Sequence, residues 1–420
     1  MLGWEYPPHI SGGLGTACEG LSKALANDGV KINFVVPHLF GDEEASHMNL
    51  HSCSGDIQPR TVSLSETDSE GSLKLTHVPS LLSPYLNEES YAALGAGRVT
   101  EGLGHALAKG ALGVGHYGRD IFEEVNRYTS VIGEIVEGNE FQVIHAHDWM
   151  TYPAAVAAKH FSEKPLVVHA HSLEFDRAGE NGNQRIMEVE RYGLQNADKV
   201  IAVSHYTASI VNKRYGVPLD KLEVVHNGIG ESFRVSKNSV AHDKRQKLVV
   251  YLGRVTFQKG PDWFVRCAEK VARKDSSIKF ALAGSGDMLP SCIAMAKEAG
   301  LEKQISFPGF LKGPRVKAAL ANASMYMMPS VSEPFGISAL EAASLNTPAL
   351  ISKQSGVGEV LRNTLRADFW DTDLMAEYVV TAMKHQELRE DLASNAAKEL
   401  EDITWDHSSV STRKVYNQLV

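Results

Sequence analysis

Uninterrupted apolar runs alternate along this chain with longer stretches of helical periodicity. Such runs are typical of strands that are covered on both faces of a parallel sheet. They predict buried strands at residues 30–37, 141–145, 165–170, 199–204, 221–226, 248–253, 278–284, 304–309, 325–329 and 348–352. Apolar positions at helical spacing predict helices between them, including 16–27 and a longer region at 101–138. This order of elements indicates repeated βαβ units.

A polar stretch at 236–247 separates two such series and is interpreted as a linker. We therefore expect an α/β protein with two Rossmann-like, doubly wound parallel-sheet domains, at 1–235 and 236–402. Ligands of such sheets bind beyond the carboxyl ends of the strands, so we expect the site in a cleft between the two domains. Residues 41–90 are rich in Ser, Glu and Asp, which predicts either an irregular insertion or a short β-excursion.

The composition of the chain argues against several classes of protein. The 42 Lys and Arg residues against 51 Asp and Glu give a formal charge of −9, which argues against a nucleic-acid partner. The four cysteines form no CxxC pair, which argues against a disulfide framework or a structural metal. No apolar run reaches the about 18 residues that span a bilayer, and the N-terminus lacks a signal-peptide pattern. We expect a cytoplasmic protein without integral membrane association.

A glycine-rich motif stands between a strand remnant at 1–6 and the first predicted helix. Gly12 and Gly13 let a ligand approach the backbone, and a helix N-terminus favours an anion. A tight strand-to-helix turn without a ligand is the structural alternative.

A basic loop, GRVTFQKG, follows the first strand of the second domain. Arg254 and Lys259 place two cations there, which is what a departing diphosphate requires as its charge grows. The alternative is a solvated basic turn.

The third motif is SEPFGISALEA, in which Pro334 and Gly336 predict a turn that opens a helix near Gly336. The N–H groups of Gly336 and Ile337 are then available to phosphate oxygens. Glu333 can reach a sugar hydroxyl, and Glu341 can accept hydrogen bonds from a ribose diol. In the structural alternative Glu333 caps the helix and Glu341 is a surface residue.

Histidines follow two predicted strands, at His145, His147, His169 and His171. Together with Asp148 they fit a metal cluster, neutral core imidazoles, or a mixture. We favour the mixture, in which one or two bind sugar hydroxyls and the rest are structural.

Two weaker motifs are interpreted as structural. The DxD pattern that ends at Asp373 resembles a metal-binding pair of some sugar transferases, but Asp373 is interpreted as a helix N-cap. A lone GSG at 284–286 fits a turn beside a nucleotide site.

Taken together, the motifs resemble those of the retaining GT-B glycosyltransferases of the glycogen and sucrose synthase type (glycosyltransferase family four, group one). The resemblance extends over nearly the whole chain: WEYPPHISGGLG at 4–15, HAHDW at 145–149, HSLEFDR at 171–177, ADKVIAVS at 197–204, HNGI at 226–229, GRVTFQKG at 253–260 and EPFGISALEA at 333–342. Glu333 and Glu341 form the family's signature pair. The segment 403–420 resembles the family's last helix, which crosses back to the N-terminal domain.

The resemblance implies a role for each donor-side residue. Arg254 and Lys259 would hold the donor diphosphate, and Glu341 would bind the nucleotide ribose. Gly336 and Ile337 would offer backbone N–H groups to phosphate or sugar.

The remaining residues receive roles in the same way. Glu333 and His171 would contact the transferred sugar at the catalytic centre. Gly12 and Gly13 would line the diphosphate from the first domain, and Asp148 would lie on the acceptor side.

The implied activity is retaining transfer of a hexose, glucose by resemblance, from an NDP-sugar to a hydroxyl acceptor such as a glucan or small glycoside. UDP and ADP are the expected nucleotides, and neither a cofactor nor a metal is required. One departure weakens the implication of a glucan product, because Ile10 stands where glycogen and starch synthases carry lysine. In a second departure, Val357 interrupts a glycine pair of the family, so different contacts are expected there.

Other classes stay open at this point. A catalytically silent or regulatory nucleotide-sugar-binding protein and a GT-B epimerase share the architecture. A homo-oligomer is not excluded. The helical region 101–138 carries three basic residues against six acidic ones, which disfavours a membrane-associated variant.

Overall fold

The computed structural model describes residues 1–8, 12–37, 48–52, 73–77, 121–230, 233 and 247–420. The chain divides into two compact units. The first contains the described residues up to Gly228 together with Trp405–Val420, and the second is Ile229–Thr404. The expected boundary between 235 and 236 lies outside the described residues and stays a prediction, as does most of the linker.

Parallel strands form the sheet of the first unit. They are β1 (Ile32–Val36), β2 (Met48–Ser52), β3 (Leu73–His77), β4 (Ile144–His147), β5 (Leu166–Ala170), β6 (Lys199–Ala202) and β7 (Leu222–Val224). Their orders are β1-β3-β2 and β4-β5-β6-β7. Strands β2 and β3 confirm the β-excursion at 41–90, and β4 begins three residues later than the predicted strand at 141–145.

The N-terminal strand remnant joins these two groups of strands. Leu2 bridges β1 at Val35 and β4 at Ala146, both in parallel. Its N–H donates to the His145 carbonyl at 2.8 Å, and its carbonyl accepts from the His147 N–H at 2.9 Å. A few residues therefore complete the centre of the sheet.

Helices cover this sheet: α1 (Gly13–Asn27), α2 (Ile121–Ser130), α3 (Ile132–Glu137), α4 (Tyr152–Ser162), α5 (Glu174–Ala178), α6 (Gln184–Asn196) and α7 (His205–Tyr215). Helix α1 buries Ala17, Leu21 and Leu25, which recur at the spacing of one helix face. Of the predicted helical region 101–138, only the part from Ile121 onward lies within the described residues.

The second unit is a doubly wound sheet of β8 (Leu248–Leu252), β9 (Lys279–Ala283), β10 (Ile305–Gly309), β11 (Met325–Met328), β12 (Ala349–Ser352) and β13 (Leu365–Ala367). The strands are parallel in the order β10-β9-β8-β11-β12-β13. The chain therefore changes direction across the sheet between β8 and β11, which is the switch point where Rossmann-like sheets bind ligands. The short β13 was missed by sequence reasoning.

The helices of the second unit are α8 (Pro261–Lys274), α9 (Leu289–Glu298), α10 (Pro314–Asn322), α11 (Ile337–Ser344), α12 (Thr372–Lys384) and α13 (Gln386–Glu399). The N-cap of α12 is Asp371, whose carboxylate accepts the Leu374 N–H at 3.0 Å. The prediction that Asp373 is the cap was wrong because the helix begins before it. Asp373 instead pairs with Lys270 at 2.7 Å.

The last helix, α14 (Trp405–Asn417), packs against α1 within the first unit. A Cβ added at Gly20 of α1 would lie 2.2 Å from the Trp405 indole, so the two helices approach closely there. Arg413 pairs with Asp28 at 2.7 Å at the end of α1. Among the described residues, no helix combines the length and apolar character that crossing a bilayer requires.

Gly20→Ala is expected to lower the melting temperature because the new methyl group displaces the Trp405 indole. Overpacking costs about 1–3 kcal/mol, more than the roughly 1 kcal/mol that alanine gains over glycine in a helix. The control is Gly133→Ala in α3, where an added Cβ lies 3.7 Å from Phe161 in ordinary contact. Thermal unfolding that shows equal or greater stability for Gly20→Ala would contradict this packing.

Candidate functional site

Two sequence motifs meet at the switch point of the second unit. GRVTFQKG follows β8, and SEPFGISALEA follows β11 after a short loop. The two strands are direct neighbours, with Met325 opposite Val249. The loops are joined by the Val331 N–H, which donates to the Gln258 carbonyl at 2.9 Å.

Lys259 and Glu333 form an ion pair between these loops, with Nζ and Oε2 2.6 Å apart. The Ser330 hydroxyl donates to the same oxygen at 3.1 Å. The backbone of Glu333 is fixed as well, since its N–H donates to the Gln354 carbonyl at 2.8 Å. Glu333 is buried at 4 % exposure, so its carboxylate depends on these partners. It does not cap the helix that follows, and that structural alternative was wrong.

Arg254 is held on the same loop as Lys259. Its guanidinium donates to the Gln258 side-chain oxygen at 2.9 Å, and its carbonyl accepts from the Tyr251 hydroxyl at 2.5 Å. Both cations of the loop are therefore placed by partners within the unit, which argues against a merely solvated turn.

Two positions in this region require glycine, because another stretch of backbone lies too close for a Cβ atom. Gly260 has φ +61°, and a Cβ there would lie 2.2 Å from the Pro329 carbonyl oxygen. A Cβ at Gly284 would lie 1.8 Å from the Gly253 carbonyl oxygen. The GSG turn therefore packs directly against the basic loop, and the Val255 N–H donates to the Ser285 carbonyl at 2.8 Å.

Helix α11 begins at Ile337 with Gly336 at its N-cap, close to the predicted start. Gly336 has φ +108° and no side chain that could cap the helix. The first N–H groups of a helix have no partner inside it, so this end offers donors and a partial positive charge. Ser338 is fixed through its hydroxyl, 2.7 Å from that of Tyr326.

Glu341 lies further along α11 and is partly buried. Burial raises the pKa of its carboxyl to about 7. A group with this pKa exists in both protonation states near neutral pH, which sets it apart from an ordinary surface carboxylate.

In the first unit, α1 begins at Gly13 with Gly12 at its N-cap. Within the described part of the chain, a Cβ added at Gly12 or Gly13 would meet no atom within 4 Å. Packing alone therefore does not require glycine here. Glu5 accepts the Gly15 N–H at 2.8 Å and places a negative charge at this helix end.

The four histidines pack around the ends of β4 and β5. Nδ1 of His147 lies 2.9 Å from Nε2 of His171, and Nδ1 of His145 lies 2.6 Å from the Tyr416 hydroxyl. Burial lowers the pKa of His171 to about 3 and holds the pKa of the other three well below the usual range. All four rings are therefore neutral at pH 7.

Asp148 follows β4 with φ +62° and is buried at 3 % exposure. Its carboxylate accepts the N–H groups of His171 at 2.7 Å and Ser172 at 3.2 Å. Burial raises the pKa of this carboxyl to about 7, although Arg177 and the two donors oppose the change. Asp148 thus holds the backbone of the His171 loop, and its acceptor-side role stays a prediction.

A buried ionic network supports the same loop and was missed by sequence reasoning. Arg177 lies 3.2 Å from Glu190 and 3.5 Å from Glu174, and it donates to the Ser172 carbonyl at 3.3 Å. Tyr215 donates its hydroxyl to Glu190. The only signal in the sequence was the unusual charge density of HSLEFDR after an apolar strand.

Comparison with known families matches two adjacent parts of the chain. The Glycosyltransferase Family 4 model matches residues 95–233, and the Glycosyl transferases group 1 model matches residues 232–399.

Similar proteins agree with these families. An uncharacterised glycosyltransferase of Methanocaldococcus jannaschii is 27% identical, over 99% of this chain and 97% of its own length. Glycogen synthase of Mycobacterium tuberculosis is 25% identical, over 86% of this chain and 80% of its own. Sucrose-phosphate synthase from Thermosynechococcus elongatus has a similar fold, with a TM-score of 0.70 at 16% identity over 100% of this chain and 98% of that one. The two Rossmann-like units have the GT-B fold, and residues 95–399 carry the patterns of a group 1 glycosyltransferase.

Proposed function

We propose that the chain transfers a hexose, glucose by preference, from a nucleoside diphosphate sugar to a carbohydrate hydroxyl with retention of configuration and without a metal. The observation that carries the proposal is the Lys259–Glu333 pair at the switch point of the second unit. It places a cation and a carboxylate side by side, close to the N-terminus of α11, which no side chain caps.

The charges of this region suit a diphosphate. Lys259 and Arg254 supply fixed positive charge, and the first N–H groups of α11 add donors that need no reorganisation. A nucleoside diphosphate that departs from the sugar gains negative charge, so these groups stabilise the transition state more than the bound donor. This set of donors takes over the role that a divalent ion plays in metal-dependent transferases.

Glu333 is proposed to bind hydroxyls of the transferred sugar. Its Oε2 is occupied by Lys259 and Ser330, which holds the carboxylate in one orientation. A carboxylate held in this way is a strong acceptor for sugar hydroxyls, and we do not assign it as a nucleophile.

The acceptor hydroxyl would then attack from the face of the departing diphosphate, whose oxygen takes the proton. The product keeps the anomeric configuration of the donor, which proton NMR of the first product reads directly.

The first unit contributes through the residues that the resemblance singled out. His171 is neutral, and its loop is held by Asp148 and Arg177, so it is a well-oriented hydrogen-bond partner for a sugar hydroxyl. Within the part of the chain that the structure describes, a Cβ at Gly12 or Gly13 would meet no atom within 4 Å, which supports contact with a ligand over a packing role for these glycines. The relationship to glycogen synthase supports glucose and UDP or ADP, with a glucan or small glycoside as acceptor.

Lys259→Ala should lower kcat/KM for transfer by roughly 10²–10³-fold, the usual loss when one donor to developing charge is removed. The assay uses UDP-glucose and ADP-glucose without added divalent ions. Lys270→Ala is the matched control, because Lys270 of α8 pairs with the exposed Asp373 of α12 in the same unit. Wild-type activity in a folded Lys259→Ala variant, or an equal loss in the control, would overturn the site assignment.

Nucleoside diphosphate binding should tighten as the pH rises through about 7, because only ionised Glu341 accepts hydrogen bonds from both ribose hydroxyls. One unit below that pKa about a tenth of the carboxyl is ionised, which predicts up to roughly tenfold weaker binding. Glu341→Gln keeps the shape of the side chain but does not titrate, so it should bind more weakly and lose this part of the pH dependence. Isothermal titration on both proteins measures the difference, and identical pH profiles would exclude Glu341 from the ribose site.

A further inference from the structure

Three histidines converge inside the first unit, next to His171, whose Nε2 lies 2.9 Å from Nδ1 of His147. His145 and His147 lie on β4, and His169 lies opposite His147 on β5. One ligand atom from each lies within 4.8 Å of the others. All three side chains are at most 1 % exposed.

His145 and His147 each use Nδ1 in a contact with another side chain, and in both rings Nε2 has no partner among the described residues. Nδ1 of His145 faces the Tyr416 hydroxyl, and Nδ1 of His147 faces Nε2 of His171. Among the described residues, Nε2 of both rings is buried without a hydrogen-bond partner. If each Nδ1 carries the proton and donates it, both Nε2 atoms present lone pairs.

His169 adds to this arrangement, because neither of its ring nitrogens has a partner within the described part of the chain. A buried polar atom left without a partner costs roughly 1–3 kcal/mol, and such atoms are rare in folded proteins. Several of them in one place, all imidazole nitrogens, indicate a ligand that accepts their lone pairs.

We propose that His145, His147 and His169 form a buried site for a divalent transition-metal ion of the zinc class. Imidazole nitrogens are preferred ligands of such ions, with bonds of about 2.0–2.1 Å and hence about 3.3 Å between ligands in tetrahedral geometry. Reaching that geometry from the present spacing requires the rings to rotate, because those of His145 and His169 are now stacked in parallel planes. The cysteine pattern in the sequence did not indicate this site, because its proposed ligands are histidines that the pairing of two parallel strands brings together.

The surroundings supply what such a site needs beyond its three ligands. In that tautomer, Tyr416 and His171 would accept the Nδ1–H of two ligand rings, which is how metal-bound histidines are commonly oriented. Cys18 offers a sulfur within 4.8 Å of a His147 nitrogen, and the carboxylate of Asp148 is buried next to His147 in the chain.

The ion is structural and would affect the proposed transfer only through the position of His171. An ion there joins β4 and β5 to each other and, through Tyr416, to α14. It also fixes the tautomer of His147, and thereby the hydrogen bond that orients His171.

The test uses the untagged full-length chain, loaded with Zn²⁺ or Co²⁺ and passed through a desalting column before metal analysis. We expect about one ion per folded chain in the wild type and in His160→Gln, a control on the exposed surface of α4. His169→Gln should retain at least tenfold less, and Tyr416→Phe should weaken affinity by about 10–100-fold, the usual effect of losing an outer partner.

X-ray absorption of the cobalt-loaded wild type decides the question even if His169→Gln fails to fold. We expect a coordination shell with imidazole scattering. A wild-type protein that retains no ion, a folded His169→Gln variant that retains as much as the wild type, or a shell without imidazole would each overturn the proposal. None of these results depends on transferase activity.

Discussion

The parallel pairing of β8 with β11 is the constraint on which the donor-side site depends. Loops at the carboxyl ends of neighbouring parallel strands emerge side by side, so Lys259 and Glu333 meet although 74 residues separate them. The contact of Gly260 with the Pro329 carbonyl allows the loops to come this close. The same pairing brings the N-terminus of α11 to this edge of the sheet, since α11 follows β11 directly.

The energetics of the Lys259–Glu333 pair point to binding rather than folding as its purpose. A buried ion pair contributes little net stability, because removing both charges from water offsets most of their attraction. Glu333 nevertheless stays at 4 % exposure with Lys259 and Ser330 as partners. The arrangement keeps a cation and an acceptor in place before substrate arrives, and preorganisation of this kind lowers a reaction barrier.

The sequence carried enough information for the repeated βαβ architecture and for the donor loops. Continuous apolar strands and glycine-marked turns are local signals, and so the start of α11 and the cations of the β8 loop were predictable. Features that depend on contacts with other parts of the chain were not predictable from the sequence. The short β13, the Glu5–Gly15 contact and the His145–Tyr416 contact, 271 residues apart, follow from packing that periodicity does not encode. Asp371 and Asp373 both lie at the start of α12, and the sequence does not show which of them is the N-cap. The structure shows that it is Asp371.

The most direct measurement of the central claim is thermal unfolding of the wild type with nucleoside diphosphates and the corresponding monophosphates of uridine, adenosine and guanosine. The account predicts that one diphosphate, at about 100 times its Kd, adds about 2.7 kcal/mol to the free energy of unfolding. The matching monophosphate should give a much smaller shift, because it lacks the β-phosphate that Lys259 and Arg254 are proposed to bind. No shift with any diphosphate, or an equal shift with the monophosphate, would contradict the assignment of this switch point as a diphosphate site.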